Sequence, residues 1–157
     1  MRVVVDSNVI IDALLPNEYI EVHKKERAKK SKNFLEAALK GKHEMVIPAI
    51  GLIEVCARLS KIMREKFDLN ILKFITENAA IIYQDKDFID NCMSEIAKID
   101  YKGCDAVFSA VASCLSLKLL TSDEELYKYL DKEHKRLGID VLLLEKMSDP
   151  QIEGAEK

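Results

Sequence analysis

The sequence contains no tryptophan, no CxxC pair and no apolar run that could cross a bilayer. Its longest nearly apolar stretch, residues 45–53, is far shorter than the ~20 residues that a membrane-spanning helix needs. Asp6 ends the first apolar run too early for a signal sequence. We therefore expect a soluble, cytoplasmic protein with no membrane segment.

The chain also lacks the motifs of several α/β protein classes. The turn after the first predicted strand reads DSNV, without the glycines of a dinucleotide-binding fold, and neither a Walker loop nor a GxSxG elbow occurs. Haloacid-dehalogenase phosphatases carry a second acid where this chain has Asn8. Response-regulator receivers need paired acids after strand one, and Lys146 is a poor counterpart of their lysine after strand five. These absences argue against all five classes.

Cysteine and histidine do not form a metal-binding pattern. No cysteine has a nearby histidine partner, so we expect small core residues rather than ligands or disulfides. The cysteines are Cys56, Cys92, Cys104 and Cys114. The histidines lie in charged segments or after a turn, where solvated side chains are expected; they are His23, His43 and His134. A zinc site is therefore not expected.

Length and charge limit the architecture. A chain of 157 residues with 48% apolar residues predicts one folded domain, which we assign to residues 1–147, followed by a frayed tail over residues 148–157. The net charge is −3, so nothing global indicates nucleic-acid binding. Any surface that binds nucleic acid must then be a local basic patch.

Short apolar segments alternate with segments of helical periodicity. Strands are predicted at residues 2–6, 44–47, 80–83, 119–121 and 139–144. Helices are predicted between them, including one long helix over residues 18–40 and one opened by a capping box of Ser122 and Glu125. This alternation predicts a five-stranded parallel sheet with helices on both faces, a three-layer α/β/α fold. In such sheets ligands bind beyond the carboxyl ends of the strands.

Four acidic residues interrupt or border apolar runs. They are Asp6, Glu54, Asp105 and Asp123. Asp6 ends the first strand, and Asp123 closely follows the fourth. Each has an ordinary alternative role, because Asp6 and Asp123 suit helix N-caps, Glu54 can pair with Arg58 four residues on, and Asp105 can offset a helix dipole. Together they are harder to explain, because carboxylates in buried segments are unfavourable unless something compensates them.

A shared divalent cation is the simplest compensation for these acids. Mg²⁺ and Mn²⁺ prefer oxygen ligands, and such ions can hold the attacking and leaving oxygens of an in-line displacement at a phosphodiester. The acidic residues therefore predict a metal-dependent phosphodiesterase.

The chain resembles the PIN-domain ribonucleases, a family that includes the VapC toxins of toxin–antitoxin pairs. The matching pieces are VDSNVIIDALL, the acid of IEVCARL, DAVFSAVA and LLTSDEEL. The resemblance implies strand order 3-2-1-4-5, Mg²⁺ or Mn²⁺, RNA cleavage and frequent dimers. It maps the acidic quartet of the family onto the four acids above, with Asp6, Asp105 and Asp123 as metal ligands and Glu54 binding metal or orienting water. Asn8 and Thr121, with Ser7 as another candidate, match polar positions that assist the metal site.

The resemblance leaves several questions of function open. A toxin would have an antitoxin partner that inserts a peptide, often with a basic residue, into the acidic groove, whereas a housekeeping RNA-processing nuclease would have the same site. A PIN fold that binds RNA or acts as a scaffold without turnover is the competing class. Residues 18–33, with six Lys or Arg against three acids, are a solvated face or an RNA-contacting arm. Lys25, Lys29 and Lys32 share one helical face and are its candidate RNA-binding residues.

Overall fold

The computed structural model describes residues 1–101 and 103–155, and a five-stranded, all-parallel sheet lies at its centre. The strand order is β3-β2-β1-β4-β5, as predicted. The strands are β1 (Arg2–Val5), β2 (Glu44–Pro48), β3 (Ala79–Ile82), β4 (Lys118–Thr121) and β5 (Val141–Leu143). The helices are α1 (Ser7–Leu14), α2 (Lys25–Leu39), α3 (Ala49–Met63), α4 (Leu69–Glu77), α5 (Lys86–Ile96), α6 (Gly103–Leu115), α7 (Glu124–Leu137) and α8 (Asp149–Glu153).

The core lies on both faces of the sheet, which confirms the three-layer prediction. Successive strand residues point to opposite faces. Val3 and Val5 of β1 therefore pack with residues of α1, α2 and α3, while Val4 packs with residues of α6 and α7. In register, Val4 stands between Val46 of β2 and Leu119 of β4, so the centre of the sheet is dry. This arrangement fixes the carboxyl ends of β1 and β4 side by side.

The charged segment, residues 18–33, is α-helical only in its second half, so the predicted helix over residues 18–40 is too long. Two single 3₁₀ turns occupy Asn17–Tyr19 and Val22–Lys24, and neither buries a side chain. The α-helix begins at Lys25, and from Ala28 onward it buries one face against the core. Helices in proteins are held mostly by packing, which the first half lacks.

The residue that caps α7 is Asp123, not Ser122 as predicted. The Asp123 carboxylate accepts hydrogen bonds from the backbone amides of Glu125 at 2.8 Å and Leu126 at 3.0 Å. Ser122 is buried, and its hydroxyl donates to Asp12 instead. The Ser122 hydroxyl, which the local pattern assigned to the helix cap, is therefore bonded to Asp12, a residue that is distant in sequence.

The segment after Met147 is not frayed over its described residues. Helix α8 starts in a capping box of Ser148 and Gln151, and its Ile152 is fully buried in the core against α2. The Ile152 carbonyl lies 2.7 Å from Nε2 of His43, whose ring stacks on Phe34. His43 is therefore buried, not solvated, and burial lowers its pKa. Residues 156–157 lie outside the described part of the chain.

Two of the cysteines form a disulfide, contrary to the prediction. Cys92 of α5 and Cys114 of α6 are joined, with their Cα atoms 5.9 Å apart. The two helices pack against each other and bring together residues that are 22 positions apart in sequence. Cys56 and Cys104 are free thiols. No helix within the described ranges is long and apolar enough to span a membrane.

Candidate functional site

Asp6 lies at the carboxyl end of β1, where it also caps α1. Its side chain is completely buried, and its backbone amide donates to Leu120 of β4 at 2.9 Å. Thr121 donates to Asp6 Oδ2 at 2.6 Å, and the Asn8 side-chain amide donates to the same oxygen at 3.3 Å. The hydroxyl of Ser7 and the amide of Asn8 each donate to Oδ1 at 3.3 Å. The predicted supporting residues Asn8 and Thr121 therefore both contact Asp6.

The charge of Asp6 is compensated only in part by these neutral donors. Burial raises the pKa of Asp6 above its ordinary value, and the nearby charge of Glu54 raises it further. The hydrogen bonds from Thr121 and Asn8 lower the pKa but do not cancel the effect of burial. A carboxylate in this setting is stabilised by any cation that approaches it.

Thr121 connects the first acid with the fourth. Its hydroxyl donates to Asp6 and also accepts a hydrogen bond from the backbone amide of Asp123 at 2.9 Å. Thr121 is fully buried, so both bonds are shielded from water. The side chain therefore sets where the turn that carries Asp123 stands relative to Asp6.

Glu54, in the first half of α3, lies close to Asp6, since the Ser7 hydroxyl contacts both side chains. Its Oε2 accepts from the Ser7 hydroxyl at 2.6 Å, and its Oε1 lies 3.7 Å from Nη1 of Arg58. The same Nη1 donates to Oδ1 of Asn8 at 2.6 Å. The ion pair with Arg58 thus exists as the ordinary alternative predicted, but it stands beside Asp6 and places a guanidinium at the rim of the acidic residues.

Asp105 lies on the first turn of α6, and its charge acts on two groups that the other acids also affect. Burial raises the pKa of the adjacent Cys104 thiol, and the charges of Glu54, Asp105 and Asp6 raise it further. Burial also raises the pKa of Tyr101, with contributions from Asp123 and Asp105. Asp105 therefore acts on Cys104 together with Asp6 and Glu54, and on Tyr101 together with Asp123. Asp6, Glu54, Asp105 and Asp123 are called the acid cluster below.

The donor chemistry of the acid cluster fits a hard divalent cation, because the cluster offers carboxylate oxygens and one of these carboxylates is buried with only neutral donors. The side chains are not assembled around one point, however. Across residues 1–101 and 103–155, no three Asp, Glu, His or Cys side chains form a group that could hold one ion. The residues fit the ion by type, and Glu54 is turned toward Ser7 and Arg58.

A second polar group beside the acid cluster had little sequence signal. Asp12, on the last turn of α1, is 2.7 Å from Nε of Arg27 and accepts from Nη2 of Arg27 at 3.1 Å. The Ser122 hydroxyl donates at 2.9 Å to Oδ2 of Asp12, the oxygen that faces Nε of Arg27. Arg27 comes from the charged segment, where composition predicts solvated side chains. Asp12 belongs to the motif DSNVIID, and that is the one signal that could have identified it.

The candidate RNA-binding lysines are exposed on one face of α2, as their spacing predicted. Together with the end of α1 they line a cleft of about 420 Å³. The lysines are Lys25, Lys29 and Lys32. Other basic residues of the segment have partners, because Lys24 pairs with Glu21 and Lys30 donates to the carbonyls of Glu145 and Met147.

Comparisons with known proteins agree with this geometry. The PIN domain family model matches residues 3–132. Among solved structures, FitAB bound to IR36 DNA fragment is similar with a TM-score of 0.61 and 15% identity, over 94% of this chain and 98% of that chain. FitAcB from Neisseria gonorrhoeae is similar with a TM-score of 0.59 and 17% identity, over 94% of this chain and 100% of that chain. At these identities the likeness concerns the fold alone. No curated protein matches the sequence significantly.

Proposed function

The chain belongs to the PIN domain family, and we propose that it is a Mg²⁺- or Mn²⁺-dependent endoribonuclease that hydrolyses RNA phosphodiester bonds. The observation that carries the proposal is the buried carboxylate of Asp6 at the carboxyl end of β1, linked through Thr121 to the turn of Asp123. Burying that charge beside Glu54 costs stability, which a purely structural cap would not require.

Each acid has a role in this proposal. Asp6, Asp105 and Asp123 would hold the ion, and Glu54 would bind it or orient the attacking water. A bound divalent ion lowers the pKa of a water molecule and offsets charge on the phosphate. Thr121 and Asn8 hold the Asp6 carboxylate in one orientation, and Ser7 does the same for Glu54. Arg58, exposed at the rim, is available to a phosphate oxygen.

The test is an RNA cleavage assay with purified protein. Mixed RNAs are incubated with Mn²⁺ or with a chelator, after any co-purified inhibitor has been removed, and Asp6→Asn and Asp105→Asn proteins are run beside the wild type. We expect cleavage that the chelator abolishes and that both variants lack. Cleavage that persists in chelator, or equally in Asp6→Asn, would contradict the proposal.

The competing function is a non-catalytic PIN-fold subunit that binds RNA or serves as a scaffold. It is favoured by one observation, since the acids in the described chain are not grouped closely enough to hold an ion. Against it, a pure binder gains nothing from the buried carboxylate of Asp6, whose charge is unfavourable in that position. Tight RNA binding without turnover in the assay above would identify this function.

For its biological role, we propose the toxin of a toxin–antitoxin pair. The proposal rests on the resemblance of the four acidic motifs to the VapC toxins, and an antitoxin would place a basic residue in the acid cluster. A short neighbouring reading frame with a DNA-binding pattern, whose product relieves toxicity on expression, is the expected finding. Harmless expression of an active nuclease would indicate a housekeeping RNA-processing enzyme instead.

RNA must be held by basic residues, because the acid cluster repels phosphate, and we propose the stripe of Lys25, Lys29 and Lys32 for this role. Each phosphate contact releases counterions, so replacing all three with Ala should raise KM and flatten the salt dependence of binding, with little change in kcat. Lys24, Arg27 and Lys30 cannot serve as controls because they hold structural contacts.

A matched control replaces three exposed lysines of α4 and α7. They are Lys73, Lys132 and Lys135. Nine residues separate Asp123 from Lys132, about 13 Å along a helix, so the α7 pair lies away from the acid cluster. Equal effects of the two triples would mean that bulk charge alone acts, and the stripe would have no specific role.

A homodimer is the proposed assembly. Exposed apolar side chains are concentrated between α3 and α5, where Ile53, Phe74, Tyr83 and Met93 are each more than half exposed. Apolar surface of this kind is stabilised when a partner covers it. Analytical ultracentrifugation of wild type and Phe74→Glu should show a dimer that the variant weakens, whereas a monomeric wild type would refute the assembly.

A further inference from the structure

Arg27, Asp12 and Ser122 form a polar network that joins three separate elements. Arg27 lies on the first turn of α2, Asp12 on the last turn of α1, and Ser122 in the turn between β4 and α7. Nη2 of Arg27 donates to Oδ1 of Asp12 at 3.1 Å, and Nε lies 2.7 Å from Oδ2 as an ion-pair contact without forming a hydrogen bond. Nη1 of Arg27 lies 3.5 Å from the Ser122 carbonyl, and the Ser122 hydroxyl donates to Asp12 at 2.9 Å.

The network is shielded from water. The side chains of Arg27 and Asp12 are 23% and 11% exposed, and Ser122 is buried. A surface ion pair of two long, solvated side chains holds little in place, whereas a shielded, hydrogen-bonded charge pair restrains both partners. Leaving either charge without its partner is unfavourable, so the three elements are held together.

The turn that this network contacts, residues 121–123, also contains Asp123 of the acid cluster. Ser122 stands between Thr121, which donates to Asp6, and Asp123, whose amide donates back to Thr121. The turn is therefore held from two sides, by Asp6 through Thr121 and by Asp12 and Arg27 through Ser122. The hydrogen bonds of Arg27 go to Asp12 and to the Ser122 carbonyl.

We infer that Arg27 is a positioning residue that, through Asp12 and Ser122, fixes the 121–123 turn and with it the placement of Asp123 relative to Asp6. This gives the charged segment a role that its solvated appearance in the sequence hides. The consequence for metal binding rests on the proposed function, whereas the structural coupling between Arg27 and the turn does not.

The experiment compares Arg27→Met with wild type by three measurements. Hydrogen exchange reports on the Asp123 amide, Mn²⁺ titration followed by electron paramagnetic resonance reports ion affinity, and RNA cleavage separates kcat from KM. We expect the Asp123 amide to exchange about tenfold faster and Mn²⁺ to bind at least about tenfold more weakly, with KM for RNA little changed. Arg27→Lys, which keeps the charge but loses the guanidinium's separate hydrogen bonds to Asp12 and to the Ser122 carbonyl, should fall between the two proteins and covers the case in which Arg27→Met does not fold.

Two controls separate positioning from general destabilisation. Lys128→Met removes an exposed ion pair on α7, beyond the turn, and should change neither exchange at Asp123 nor Mn²⁺ affinity. Ile152→Ala destabilises the core at α8, far from the turn in sequence, and should lower the melting temperature without a selective effect at Asp123. The charge-swapped double variant Asp12→Arg with Arg27→Asp should recover part of both lost properties.

The outcomes distinguish the inference from the proposed function. Wild-type exchange at Asp123 in Arg27→Met overturns the inference, as does the same faster exchange in Ile152→Ala at equal loss of melting temperature. A wild-type protein that neither binds Mn²⁺ nor cleaves RNA overturns the proposed function, and the exchange measurement still decides the positioning role.

Discussion

Thr121→Val is the substitution that tests most directly how the acid cluster is held. Valine has nearly the shape of threonine, so the buried site keeps its packing and loses only the hydroxyl. That hydroxyl makes two bonds, one to the Asp6 carboxylate at 2.6 Å and one from the Asp123 amide at 2.9 Å. A hydrogen bond to a charged group contributes about 1.5–3 kcal/mol, and a neutral bond about 0.5–1.5 kcal/mol. We expect the free energy of unfolding to fall by about 2–4 kcal/mol at a pH where Asp6 is ionised.

The loss should depend on pH in a defined direction. The bond from Thr121 lowers the pKa of Asp6, so it stabilises the ionised carboxylate more than the protonated one. Removing it raises the pKa of Asp6 still further above its unfolded value. The destabilisation is therefore smallest at acid pH, where Asp6 is protonated, and grows as the pH rises through the pKa of Asp6 in the folded protein.

Urea unfolding in the presence of a chelator, at pH 4 and at a pH where Asp6 is ionised in the folded protein, measures both effects. Thr121→Ser is the matched control, because it keeps both bonds and loses one methyl group, at a cost of about 1 kcal/mol that does not vary with pH. An equal loss for Val and Ser, or a loss for Val that is the same at both pH values, would refute the proposed hold of Thr121 on Asp6.

Three further substitutions test the site and the core. Asp6→Asn should abolish cleavage but leave the free energy of unfolding without metal at pH 7 unchanged or higher, because burial and Glu54 raise the pKa of Asp6 and its ionisation above pH ~4 costs stability. Mn²⁺ should raise the melting temperature of the wild type more than that of Asp6→Asn, and an equal rise in both proteins would mean that Asp6 is only a helix cap. Gly51→Ala should cost about 1–3 kcal/mol in urea unfolding, because the added Cβ would lie 2.7 Å from Cζ of Phe108, and a neutral result would show that the ring can move. Ile152→Ala should cost about 2–5 kcal/mol, and a loss well below 1 kcal/mol would mean that α8 is not part of the core.

The sequence by itself determined the features that arise within a few residues. The apolar strands and their order along the chain occur as predicted, and the Asp68 and Asp85 caps and the left-handed Gly138 that ends α7 are equally local features. These features depend on side-chain alternation, on a carboxylate within reach of a nearby amide, and on a backbone conformation that suits glycine. The four acids were selected as candidate site residues on the same local ground, because a carboxylate that borders a buried segment is unfavourable whatever the tertiary fold.

Tertiary structure alone decided where side chains find partners far away in sequence. Ser122 could cap α7 locally, but Asp12 takes its hydroxyl from 110 positions away. Residues 18–24 have a composition that allows a helix, yet none of their side chains is buried, and His43 is buried because α8 covers it. Arg27 belongs to a segment whose composition predicts solvated side chains, but in the fold α1 places Asp12 opposite it. The physical reason is the same in each case, since local patterns fix backbone conformation, whereas desolvation and hydrogen-bond partners depend on which distant elements the folded sheet brings together.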